Sequence, residues 1–84
     1  MARERKNTKV VYRKLGKENA FGVAHIGNNK IEVDERIKTY HHLLILTHEK
    51  LHLIFPEFSE TKIKKIASQL AKFYWQNNFR WVDI

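Results

Sequence analysis

Hydrophobic positions change their spacing along the chain, and the change divides it in two. From Lys9 to Asp34 the apolar residues come in short, β-prone runs: Val10-Val11-Tyr12, Phe21-Gly22-Val23-Ala24 and Ile31-Glu32-Val33. The run from Lys9 to Leu15 predicts a first strand or an arm. The next two runs flank Gly27-Asn28-Asn29, which predicts an antiparallel hairpin. Strand alternation puts Ile31 and Val33 on the core side and Glu32 in solvent. Gly16 to Asn19 reads as a turn, and residues 1–8 as a basic disordered arm.

From Thr39 onward the spacing is helical. The run from about Thr39 to Phe55 predicts a helix with Thr39 as its N-cap. Pro56 ends it, because the residue before a proline avoids the helical region. Ser59 then caps a second helix, from about Glu60 to Asn77. Ile63, Ile66, Ala67, Leu70, Phe73, Tyr74 and Asn77 recur along it at helical spacing, with Lys62, Lys65, Gln69, Lys72 and Gln76 opposite. On this pattern Phe73, Tyr74 and Trp75 belong to the core. Asn77-Asn78 stops the helix, and Phe79 to Ile84 forms an apolar tail that packs back. Strands first and then two antiparallel helices make residues 9–84 one small α+β domain.

The first helix carries His48-Glu49-Lys50-Leu51-His52, the H-E-x-x-H pattern. Residues four apart stack on one helix face, so both imidazoles can reach one metal ion. Glu49 is turned roughly 100° away from His48. That places its carboxylate to meet a metal-bound water rather than the metal. Two histidine ligands and one general-base carboxylate form the zinc-hydrolase arrangement. The apolar flanks, Leu43 to Thr47 and Leu51 to Phe55, would exclude water. A plainer reading keeps two surface histidines four apart by chance, and another keeps a structural zinc without catalysis.

A catalytic zinc needs a third protein ligand. The short connection after Pro56 folds the second helix back, so its first turn lies beside His52. Glu60 sits in that turn and is the first candidate. Glu57 in the connection, His41 seven residues before His48, and Asp83 in the tail remain alternatives. His25 and His42 have no pattern around them and read as surface or core-edge histidines. The strand Lys30 to Asp34, directly before the motif helix, is a candidate edge for binding an extended peptide by strand addition.

Composition narrows the chemistry. The chain has no cysteine, so disulfides and thiolate zinc sites are excluded and any metal must use His and carboxylate. A chain of 84 residues buries only about 60–65% of its unfolded surface, which makes a bound metal or a partner a useful source of stability. Charge is uneven. Of the net +7, +6 falls in residues 1–17, where seven basic residues face Glu4 alone. Such an arm can contact nucleic acid, and it can equally serve as a solvated tail. Met1 to Lys9 is polar and leads into no apolar run, so no secretory leader is expected. The motif run is broken by His, Glu and Lys, so no membrane span is expected either. The expected location is the cytoplasm.

Ile31-Glu32-Val33-Asp34 followed by Leu46 to Glu60 resembles small phage and prophage zincin-like metallopeptidases, minimal relatives of the SprT-like and IrrE/ImmA-type groups. The resemblance covers about residues 22–75. It implies a hairpin before an H-E-x-x-H helix, then a helix whose start carries an acidic residue, here Glu60. It further implies a Zn²⁺ peptidase acting on peptide or protein substrates, in the host cytoplasm if phage-encoded. The expected function is a zinc-dependent hydrolase in which His48, His52 and Glu60 hold Zn²⁺ and Glu49 is the general base. The rival expectation is an inactive, zinc-stapled protein that binds nucleic acid or a host partner through its basic arm.

Overall fold

The computed structural model describes residues 7–16 and 21–82. Most of the arm, most of the Gly16 to Asn19 turn, and Asp83 lie outside the described residues. Three strands precede two helices: β1 (Lys9–Arg13), β2 (Gly22–His25), β3 (Lys30–Asp34), α1 (Thr39–Ile54) and α2 (Glu60–Gln76). The layout is α+β.

The β2–β3 hairpin forms as the sequence predicts, with Val23 opposite Glu32 and Ala24 opposite Ile31. A short 3-10 turn, Ile26–Asn28, closes it, and Asn29 takes the left-handed conformation (φ 50°) that asparagine tolerates. The sheet is not wholly antiparallel, however. β1 pairs in parallel with β3, Lys9 beside Lys30 and Arg13 beside Asp34, giving the order β1-β3-β2. The last strand in sequence is therefore the middle strand in space. This corrects the expectation that Lys30 to Asp34 offers an edge to a peptide, since its backbone is paired on both sides. Among the described residues the outer strands are β1 and β2, and β2 packs against α1.

The central position of β3 also corrects the expectation for Glu32. Ile31 and Val33 are buried beneath the helices, as expected, but Glu32 is only 8% exposed. Neighbouring strands cover it. Arg13 of β1 donates to both Glu32 oxygens (2.8 and 3.1 Å), and His25 of β2 lies 3.0 Å from Oε1. Asp34 is buried at the end of the same strand. It accepts from the Leu15 and Arg36 backbone amides and from the Arg36 guanidinium, fixing the chain on both sides of the sheet.

The helices pack through Leu51, Ile63 and Ala67, with Leu44, Phe55, Phe58 and Ile66 around them. Phe55 and Phe58 stack across the Pro56 connection at 4.5 Å between centroids. Ser59 caps α2 as expected, its hydroxyl accepting from the Lys62 amide. Thr39 does not cap α1. Lys38 holds the cap position without a side-chain hydrogen bond, and Thr39 already lies inside the helix at φ 60°. The expected core role is also corrected for Phe73 and Tyr74, which are exposed, whereas Trp75 is half-buried against Tyr40. The buried stripe of α2 is Ile63, Ala67 and Ala71, spaced strictly by four, and the Phe73 ring is 58% exposed. Small alanines let the helices approach closely, which leaves the bulky rings on the flank. The tail does return, with Trp81 against Tyr12 and His42, yet its ring remains largely exposed. His42, expected at the surface or the core edge, is buried there and lies 3.0 Å from the Tyr12 hydroxyl. Among the described residues no helix is long and apolar enough to cross a membrane.

Candidate metal centre

His48 and His52 project from one face of α1, one turn apart, with ring centroids 4.9 Å from each other. The five-residue connection from Phe55 to Ser59 reverses the chain and sets the first turn of α2 beside the last turn of α1. Glu60, the first residue of α2, then faces both rings. One carboxylate oxygen lies 2.9 Å from His48 Nε2 and the other 2.8 Å from His52 Nε2. The two Nε2 atoms are 3.2 Å apart. Donor atoms of all three residues fall within 4.8 Å of one another, and theirs is the one such group among the described residues.

These separations suit a metal. Tetrahedral ligands about 2.0–2.1 Å from a zinc ion stand roughly 3.3 Å from each other. The observed spacing of 2.8 to 3.2 Å is close to that value and would need only a small outward movement. Two neutral imidazoles and a carboxylate are also the donor set a thiol-free chain can offer zinc. The histidine rings are mostly buried and Glu60 is mostly exposed, so the cluster opens on the α2 side. Glu57 and His41, the alternatives for the third ligand, are exposed and stand outside the cluster.

Glu49 lies on the inner side of α1, 9% exposed. Burial pushes its carboxyl pKa up, and the nearby charges of His48 and His52 oppose that rise. For Glu60, burial also raises the pKa, but His48 and His52 outweigh it and hold the carboxyl below its ordinary value. The two carboxyl pKa values are thus moved in opposite directions, Glu49 up and Glu60 down. Gly22 of β2 explains how Glu49 is covered. A Cβ at that position would come within 2.6 Å of the Ile45 side chain and 3.0 Å of Glu49 Cγ. Only glycine lets the edge strand lie so close to α1.

A cleft of about 290 Å³ opens at the centre. His48, Glu49 and Glu60 line it, together with Leu44 and Ile45 of α1, Phe21 and Gly22 at the start of β2, and Lys64 and Ser68 of α2. Sequence reasoning found the first three of these and missed the rest. For Lys64 and Ser68 a signal existed, since they follow Glu60 at four and eight residues on α2. Phe21 and Gly22 had none, because a strand packed over α1 places them there. A second cavity, of about 530 Å³, lies toward the other end of α1 between Tyr12, His42, Trp75 and Trp81 and shares no residue with the metal centre. No family model, curated protein or solved structure matches the chain.

Proposed function

We propose that the protein is a zinc-dependent hydrolase, a minimal zincin-like metallopeptidase acting on peptides in the cytoplasm. The observation that carries this reading is the convergence of His48, His52 and Glu60, with the buried Glu49 carboxylate beside them. His48, His52 and Glu60 would hold the metal. A zinc ion there would lower the pKa of a bound water to about 7 and polarise a carbonyl. Glu49 takes a proton from the attacking water as its oxygen adds to the carbonyl carbon. The C–N bond then breaks, and Glu49 delivers that proton to the leaving nitrogen. The walls formed by Phe21, Leu44 and Ile45 limit access of other water. The outer edge of β2 gives an extended peptide backbone hydrogen-bonding groups alongside the cleft.

Two measurements test the reading. Protein purified without chelator or a histidine tag should contain one equivalent of zinc, and His48→Ala or His52→Ala should abolish binding. Less than about a tenth of an equivalent, with no uptake of added zinc, would remove the metal. Glu49→Gln should keep zinc and fold while lowering peptide hydrolysis by about 10²–10⁴-fold. Unchanged hydrolysis in Glu49→Gln would sink the mechanism. Full zinc with no hydrolysis in the wild type would favour the zinc-stapled binding protein instead.

A further inference from the structure

We infer that Lys64 is a substrate-binding residue that selects a carboxylate in the peptide next to the cut bond. The inference rests on the hydrolase reading for its chemistry, but its binding step can be measured alone. Lys64 lies one turn beyond Glu60 on α2 and lines the same cleft as His48 and Glu49. Both oxygens of Glu60 are engaged by the two histidines. No other carboxylate pairs with Lys64 among the described residues. Lys64 is exposed to solvent where it lines the cleft, so its ammonium group is available to a ligand there. Ser68, one further turn along, adds a hydroxyl donor to the same lining.

The distance fixes what Lys64 can touch. Four helical residues advance about 6 Å, and an extended peptide advances about 3.3 Å per residue. A chain lying between β2 and α2 would bring its group one or two residues from the scissile carbonyl under the Lys64 ammonium. The lining from β2 and α1 includes the apolar Phe21, Leu44 and Ile45, and Phe21 is 60% exposed. The substrate class is a peptide with a carboxylate on the α2 side and an apolar side chain on the Phe21–Leu44 side. That carboxylate can be an acidic side chain or a free C-terminus.

The test uses the zinc-loaded full chain and two fluorescein-labelled peptide pools of equal length. One pool carries Glu and Asp at its randomised positions, the other Gln and Asn, and each is made with a free and an amidated C-terminus. Binding is measured by anisotropy on a Glu49→Gln background, with and without Lys64→Met. Lys65→Met, which removes the same charge from outside the cleft, is the control. Peptides with a carboxylate, either in the acidic pool or at a free C-terminus, should bind about tenfold more tightly than the amidated neutral pool, and Lys64→Met should erase that difference while Lys65→Met keeps it. Dependence on the free C-terminus in the neutral pool assigns the carboxylate to the chain end. Its absence assigns it to a side chain. Cleavage by the Glu49-containing protein should show the same preference in kcat/KM. Equal loss of acidic preference in both lysine variants, or retention in Lys64→Met, overturns the inference. Lys64-dependent binding without cleavage of either pool overturns the hydrolase reading alone.

Discussion

Gly22 and Glu49 meet because a hydrogen replaces a methyl group. Replacing Gly22 with alanine should destabilise the protein by about 1–3 kcal/mol in urea unfolding, because the added Cβ meets Ile45 at 2.6 Å and α1 has little room to retreat. The same variant should lower hydrolysis more than its stability loss explains, since relief of the clash moves Glu49. Zinc content should be unchanged, because none of the three donors is among the atoms that the added Cβ meets. An alanine variant as stable as wild type would show that β2 is free to shift. Residue chemistry was only partly legible in the sequence. His48 and His52 were visible because helical spacing of four is local. Glu60 was visible because a short turn leaves the second helix one place to go. The role of Gly22 was not visible, since it exists only once a strand is laid across a helix.

The middle strand decides how the protein responds to acid. Glu32 is held down from its ordinary value of 4.5 to about 2, chiefly by hydrogen bonds from Arg13 and His25, against an opposing push from burial. Asp34 is likewise held well below the carboxylate range, first by the Arg36 guanidinium and then by the Arg36 amide. A carboxyl whose folded pKa is depressed contributes stability above its unfolded pKa and loses it as pH falls. The contribution of Glu32 should therefore be fully present above about pH 5 and be lost between 4.5 and about 2 as Glu32 protonates. Thermal melts across this range should show a shallower decline for Glu32→Gln. A wild-type melt that is flat to pH 2 would contradict the Arg13–Glu32–His25 arrangement. Period-two alternation misassigned Glu32 because that rule concerns a sheet with one wet face, whereas here side chains from both flanking strands close over the second face. The helix pattern erred in the opposite direction at Phe73. The two alanines at 67 and 71 carry the close contact, and a hydropathy count gives more weight to the rings beside them.

For the molecule as a whole, a small core sets the value of the metal. The fully buried side chains are few, and Leu15, Ile31, Val33 and Ile63 are the largest apolar ones. A ligand at a hundred times its Kd adds about 2.7 kcal/mol to folding, and one kcal/mol moves the Tm of a domain this size by about 4–8 °C. Chelation should then lower the Tm by about 10 °C or more in the wild type and have no effect in His48→Ala. Equal melts with and without chelator would mean that the centre holds no ion. The α+β order was legible from the change of spacing at Thr39, but the parallel pairing of β1 with β3 was not. Nothing in a run such as Lys9 to Arg13 says which later strand it will join.

The donors of the metal centre all lie between His48 and Glu60, a span of thirteen residues, while β1 pairs with β3 across twenty-one. Closing the shorter loop is the cheaper step, so the α1–α2 hairpin has the lower entropic barrier to forming first. An ion bound to that hairpin would act on the transition state as well as on the native state. Zinc should accordingly raise the refolding rate in stopped-flow experiments, with a φ-value near one for the site. If zinc slowed unfolding alone, the centre would close after the rate-limiting barrier, and the sheet would be the part that assembles first.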